Sequence, residues 1–143
     1  MNRVIAVNAT DVRKEWSAVM DSVIREKPKF IKRTRDYVFL SDLHTVESML
    51  GAYHFSAKEF IEDNGSVTLA LDQLDLVENG ADRQEAIEKM AAGILEYAED
   101  YYLDFSFWAR GDRVNDIPYV FMALIVNDIQ KIGGLIQCRH GEN

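Results

Sequence analysis

Lys27, Lys29, Lys32, Arg33 and Arg35 crowd one short stretch of the chain, with Arg13 upstream of them. Several fixed cations on one surface can hold phosphate groups, and the forked donors of arginine can read base edges. The alternative is a solvated strand edge, where lysines discourage pairing with another sheet. Other chemistry is poorly supplied. His44, His54 and His140 are scattered, and none stands at a metal-ligand spacing with Cys138 or a carboxylate. No Gly-rich phosphate loop occurs, and Gly133-Gly134 reads as a helix stop. Adjacent carboxylates such as Glu99-Asp100 are commonplace on acidic helices. No enzyme, cofactor or metal site is expected.

The elements that must carry the cations can be read from periodicity. Val4-Ile5-Ala6-Val7 reads as a short strand, and Asn8 is a natural N-cap for the helix that follows. Val12, Trp16, Val19, Met20, Val23 and Ile24 recur at helical spacing, which predicts one helix until Pro28 stops it. Phe30 to Arg33 and Tyr37 to Leu40 are rich in aromatic and β-branched residues, and Thr34-Arg35-Asp36 between them makes a hairpin. Ser41 or Asp42 then caps a helix with Leu43, Val46, Met49 and Leu50 on one face. This β-α-β-β-α unit has too thin a core to stand alone, so a partner chain is expected to complete it.

The segment from Gly51 to Phe55 marks a boundary, which gives two domains, 1–53 and 56–143. Ser56 with Glu59 fits a capping box and predicts a short helix through Ile61. Val67 to Leu71 is a strand, Leu74 to Val77 a candidate second, and Asn79-Gly80 a turn. Asp82 and Glu85 cap a long helix whose stripe runs through Ile87, Met90, Ala91, Ile94, Leu95, Ala98, Tyr101, Tyr102, Phe105 and Trp108. Another helix is predicted from Asn115-Asp116-Ile117-Pro118 to Ile132, and Leu135 to Cys138 is a last strand. The fold class is α+β, with the second part a mainly helical α+β module.

Charge divides the chain as well. Residues 1–50 hold nine Lys/Arg against seven Asp/Glu, whereas residues 51–143 hold seven against seventeen. The front tolerates nucleic acid and the acidic rear calls for a different partner, although acidic surfaces also serve solubility. No apolar run is long enough to span a bilayer, and the N-terminal residues lack a signal-peptide core. The single cysteine agrees with a reducing compartment, so the cytoplasm is the expected location.

The order Val7-Asn8-Ala9-Thr10-Asp11-Val12-Arg13, then Pro28-Lys29-Phe30-Ile31-Lys32-Arg33, then Tyr37-Val38-Phe39-Leu40-Ser41 resembles the Phd/YefM antitoxins over roughly residues 4–53. The resemblance implies a symmetric dimer that binds operator DNA and represses its own operon. It places the DNA-contacting helix arginine at Arg13 and the strand-end arginine at Arg33, with Lys32 standing for the usual Thr; Thr10 and Arg35 join that DNA-binding set. Two departures count against DNA affinity: Glu15 replaces an Asn common in the family, and Thr34-Arg35-Asp36 lacks the usual turn glycine. A local charge partnership with Asp11 or Glu15 is the competing account of Arg13.

Residues 71–98 resemble a C-terminal module of some Phd-like antitoxins, which implies that the rear half masks a cognate, basic toxin. Glu96, Glu99, Asp100 and Asp104, with Glu85 and Glu88, are the candidate acidic contacts, and Tyr101, Tyr102, Phe105, Phe107 and Trp108, more than one helix face can bury, the candidate aromatic ones. A solvated helix face and a crowded core are the respective alternatives. The expected function is a type II toxin–antitoxin system antitoxin. The alternative is an interaction protein that keeps the Phd-like unit only to dimerise.

Overall fold

Alternation and helical periodicity sort the chain into two sheets with their helices, and a computed structural model describes residues 5–141. The chain divides into two units, Met1–Met49 and Leu50–Asn143. Val4, expected to begin the first strand, lies outside the described residues.

In the first unit β1 (Ala6–Asn8) pairs in parallel with β2 (Lys29–Arg33), and β2 pairs antiparallel with β3 (Asp36–Leu40). Asn8 has the extended backbone of an N-cap but makes no side-chain cap bond. The predicted single helix is two: α1 (Ala9–Lys14) and α2 (Trp16–Arg25) are separated at Glu15, whose φ of −123° and ψ of 42° interrupt the hydrogen-bond ladder. Arg33 pairs directly with Asp36, so the hairpin turn is Thr34-Arg35. Thr34 takes a φ of 56°, a left-handed conformation uncommon for a β-branched residue and ordinary for glycine. After the hairpin comes α3 (Leu43–Met49). A hydrogen bond from the Thr45 side chain to Asp42 holds that carboxyl below its usual range, and the Val46 amide donates to the Asp42 carbonyl, so Asp42 is the cap.

Among the described residues of this unit only Val12, Val23 and Ile31 are buried hydrophobics, while Trp16, Ile24, Val38, Phe39 and Leu43 stay exposed. Burying one such side chain contributes about 1.5–3 kcal/mol, so three make a thin core.

The second unit is a four-stranded sheet in the order β6-β5-β4-β7. Its β4 (Phe55–Ile61) occupies the segment read as a capped helix. The local Ser56/Glu59 signal loses to tertiary pairing, because β4 is bonded antiparallel to β5 (Val67–Leu71) and parallel to β7 (Ile136–His140). Phe55, Ala57 and Glu59 alternate onto its buried face, joined there by Val67, Leu69, Leu71 and Ile136. Glu59 is only 9% exposed, and the Arg83 guanidinium donates to both its carboxylate oxygens, at 2.6 and 3.0 Å. Ser56 is held from the other side, its hydroxyl donating to Asp72 while Gln73 donates to it. The Arg139 guanidinium also binds Asp72 and holds that carboxyl below its usual range.

Leu74 to Leu76 form the turn into β6 (Val77–Gly80), so the strand starts later than expected and Asn79-Gly80 lies inside it. Gly80 is required by close approach: a Cβ there would lie 2.9 Å from Ala86 Cα and overlap its nitrogen. Asp82 caps α4 (Arg83–Leu103) as predicted, accepting from the Glu85 amide at 2.9 Å. The buried stripe is Ala86, Met90, Ala91, Ile94, Ala98 and Tyr101. It does not run straight to Trp108, because Asp104 (φ −131°, ψ 56°) ends the helix before α5 (Phe105–Trp108).

A 3-10 helix (Gly111–Asp116) leads into α6 (Ile117–Val126), with Pro118 in its first turn. The predicted continuation to Ile132 is broken at Asn127, which is left-handed at φ 48°. Asp128 then caps α7 (Ile129–Leu135), accepting from the Lys131 amide. Gly133 and Gly134 lie within α7 rather than ending the preceding helix. Gly133 faces Ile87 across the α4–α7 contact, where a Cβ would sit 3.1 Å from its side chain. Among the described residues no helix is long and apolar enough to cross a membrane.

Candidate functional site

In the first unit the strand register carries the chemistry. Asn8 of β1 is the partner of Lys32 in β2, and Thr10 follows on the first turn of α1. That register places Thr10, Lys32 and Arg33 around one surface cleft, with Asn8, Ala9, Asp11 and Thr34 completing its wall. Its volume is about 380 Å³. Arg13 lies one turn further along α1 and lines the adjoining apolar pocket with Ala9, Val12, Trp16 and Ile31. Arg35 sits in the exposed hairpin turn.

These cations are not tied up by carboxylates. Among the described residues, Arg13, Lys32, Arg33 and Arg35 form no ion pair, and Arg13 is bonded to neither Asp11 nor Glu15. Lys32 places its ammonium 5.8 Å from the Tyr37 ring centre. Such a surface can accept an extended polyanion. Asp11 in the cleft wall and Glu15, exposed at the junction of α1 and α2, are acidic neighbours on the same segment.

In the second unit Glu88, Glu96, Glu99, Asp100 and Asp104 are exposed. Glu85 is half-buried and pairs with Lys89 at 3.2 Å. Tyr101 is different from the expectation: it is 0% exposed and donates its hydroxyl to the Arg113 carbonyl at 2.5 Å. It therefore serves packing and is not free to touch a partner. Trp108 is half-buried, with its ring against Tyr97 and Tyr101 and the Arg113 guanidinium 4.7 Å from its centre. Tyr97 donates to Asp116 at 2.7 Å. Burial pushes both the Tyr97 and Tyr101 hydroxyls upward from their ordinary value. Of the five candidate aromatics Tyr102, Phe105 and Phe107 are exposed, together with Leu103, which the sequence reading did not single out. Helical phase could have found Leu103, which lies two residues past the inward-facing Tyr101 and so on the far side of the helix. The break at Asp104 turns Phe105 and Phe107 off the continuous stripe expected for them.

Cys138 is half-buried, and burial pushes its thiol up, which weakens it as a nucleophile. Among the described residues no group of three or more His, Cys, Asp or Glu could hold a metal ion.

The chain thus joins a mixed three-stranded sheet with an α1/β2 cleft lined by cations to an acidic α+β unit. Residues 1–138 match the profile of the PHD_like family, described as antitoxins of toxin–antitoxin (RelE/RelB) systems, and the chain belongs to that family. It is also similar to a crystal structure of an antitoxin part of a proposed toxin/antitoxin system from Syntrophomonas wolfei subsp. wolfei. The two agree at a TM-score of 0.90 and 31% identity over 95% of this chain and 99% of that one. No curated protein matches the chain.

Proposed function

We propose that the protein is a non-enzymatic, cytoplasmic antitoxin of a type II system whose first unit dimerises and binds operator DNA as a transcriptional repressor. Its second unit then neutralises the cognate toxin. The observation that carries the DNA reading is the set of cations without carboxylate partners around α1 and β2: Arg13, Lys32, Arg33 and Arg35, with Thr10 beside them. The thin core of the first unit and the exposure of Trp16, Val38, Phe39 and Leu43 support a second copy covering that surface.

Four such cations from each of two protomers, each releasing counterions from a phosphate, give a salt slope of roughly −7. Affinity should fall about ten-thousandfold between roughly 50 and 200 mM salt. A gel shift on the DNA upstream of the gene, with competitor present, tests this. Arg13→Ala in both protomers should reduce the slope by about 2 without unfolding the dimer. Full affinity and an unchanged slope in both Arg13→Ala and Arg33→Ala would refute these assignments. The second reading, an interaction protein that only dimerises through this unit, is favoured by the exposed Glu15 and the net charge of −8. The absence of any shift from a folded dimer selects it.

A further inference from the structure

We propose that the end of α4 and α5 form the surface on which the second unit takes a cationic, apolar-faced segment of its toxin. Tyr102, Leu103, Phe105 and Phe107 are the apolar contacts, and Glu96, Glu99, Asp100 and Asp104 the acidic surround. The proposal rests on the reading of the second unit as toxin-binding and gives that reading a place.

Three observations carry it. The first is exposure. Leu103 is 81% exposed, more than any other large apolar side chain among the described residues, and Tyr102 is 56% exposed beside it. Scattered exposed apolar residues are ordinary on a soluble protein, but a joined patch with a polar surround marks an interface.

The second observation is that the three aromatic members, to which Leu103 is adjacent in sequence, share a packed base. The Tyr102 and Phe105 rings both meet Phe121 of α6 edge-on, at 6.1 and 6.0 Å between centroids. Phe107 is packed edge-on against Trp108, which rests on the buried Tyr101. Half-exposed aromatics seated on a fixed base lose little side-chain freedom on binding, which is why such residues anchor interfaces.

The third observation selects the occupant. Glu96, Glu99 and Leu103 follow one another at helical spacing on the outer side of α4, with Asp100 adjacent and Asp104 at the break. The nearby cations are already engaged: Arg110 donates to the Ser106 carbonyl, and Arg113 lies on the Trp108 ring. The second unit of another copy would bring like carboxylates against Glu96, Glu99, Asp100 and Asp104, and a nucleic acid would bring phosphates. Both are repelled by a segment with seventeen acidic and seven basic residues over 51–143. A cationic protein segment with an apolar face meets complementary charge around complementary apolar area.

The test is titration calorimetry of the full-length protein against the purified product of the reading frame adjacent to its own gene. Leu103→Ser/Phe107→Ser (the Ser variant) should weaken binding roughly a hundredfold while lowering the melting temperature by only a few degrees, because Leu103 is 81% and Phe107 52% exposed. Leu103→Ser alone should weaken binding with no shift in melting temperature. Glu99→Lys/Asp104→Lys should slow association and flatten its salt dependence. If the wild-type protein binds and the Ser variant keeps its affinity, the patch is wrong and the toxin reading stands. If the wild-type protein neither binds that product nor protects cells from it, the toxin reading fails and the patch with it. If sedimentation shows a wild-type assembly that the Ser variant loses without any partner, a second copy occupies the patch and the proposal is overturned.

Discussion

Replacing Tyr101 by phenylalanine isolates one hydrogen bond in the best-packed part of the second unit. The ring is fully buried, with Tyr97, Phe105 and Trp108 around it at centroid distances of 5.9, 5.8 and 6.2 Å. Its hydroxyl donates to the Arg113 carbonyl in the 3-10 helix that leads to α6. Phenylalanine keeps the ring and leaves that carbonyl without its donor, which costs about 1–2 kcal/mol. In a unit the size of Leu50–Asn143, that lowers the melting temperature by roughly 5–15 °C. Tyr101→Ala also opens a cavity and should cost about 3–5 kcal/mol, a large share of a domain's stability. The assay is thermal unfolding of the full chain followed by near- and far-UV circular dichroism, with Tyr102→Phe as the exposed control. A Tyr101→Phe shift no larger than that of Tyr102→Phe refutes the hydrogen bond as a stabilising contact. Weakened toxin binding with undiminished stability would restore Tyr101 as a contact residue.

Two further outcomes follow from the same packing. Gly80→Ala forces β6 and the start of α4 apart, because the added Cβ overlaps the Ala86 backbone; a loss of about 1–3 kcal/mol or more is expected in urea unfolding. Alkaline pH should destabilise the second unit, since burial raises the Tyr97 and Tyr101 hydroxyls above their ordinary value. The unfolded chain then ionises first, near pH 10, and binds fewer protons than the folded one, so stability present below that pH is lost above it. Urea midpoints measured on either side of about pH 10 should fall on the alkaline side, and less so in Tyr97→Phe/Tyr101→Phe.

Part of the candidate site was legible because it depends on short-range order. Asn8, Thr10 and Arg13 share one strand–helix junction, and Lys32 and Arg33 end the next strand. What brings the two groups to one cleft is the parallel β1–β2 register, with Asn8 beside Lys32. No local pattern specifies that pairing. On the acidic side, periodicity placed Tyr101 and Tyr102 on one continuous stripe. The structure separates them into a buried and an exposed ring, since a helix turns by about a hundred degrees between neighbours and only one of the two can face the core.

By itself the sequence determined the elements whose signals are local: the Phe30–Arg33 and Tyr37–Leu40 hairpin, the Val67–Leu71 strand, and the long helix that begins at the Asp82 cap. It also determined the separation of a cationic front from an acidic rear. Only the tertiary structure decided that residues 55–61 are a strand, because their hydrogen bonds go to β5 and β7, far away in sequence. It likewise decided the interruptions at Glu15, Asp104 and Asn127, where the backbone leaves the right-handed helical region between one helix and the next. It admitted Gly80 to a strand and Gly133 to a helix, since neighbouring elements approach too closely there for a larger side chain to fit unchanged. Local signals compete on terms of about 1 kcal/mol, and burial of a whole strand or helix face outweighs them.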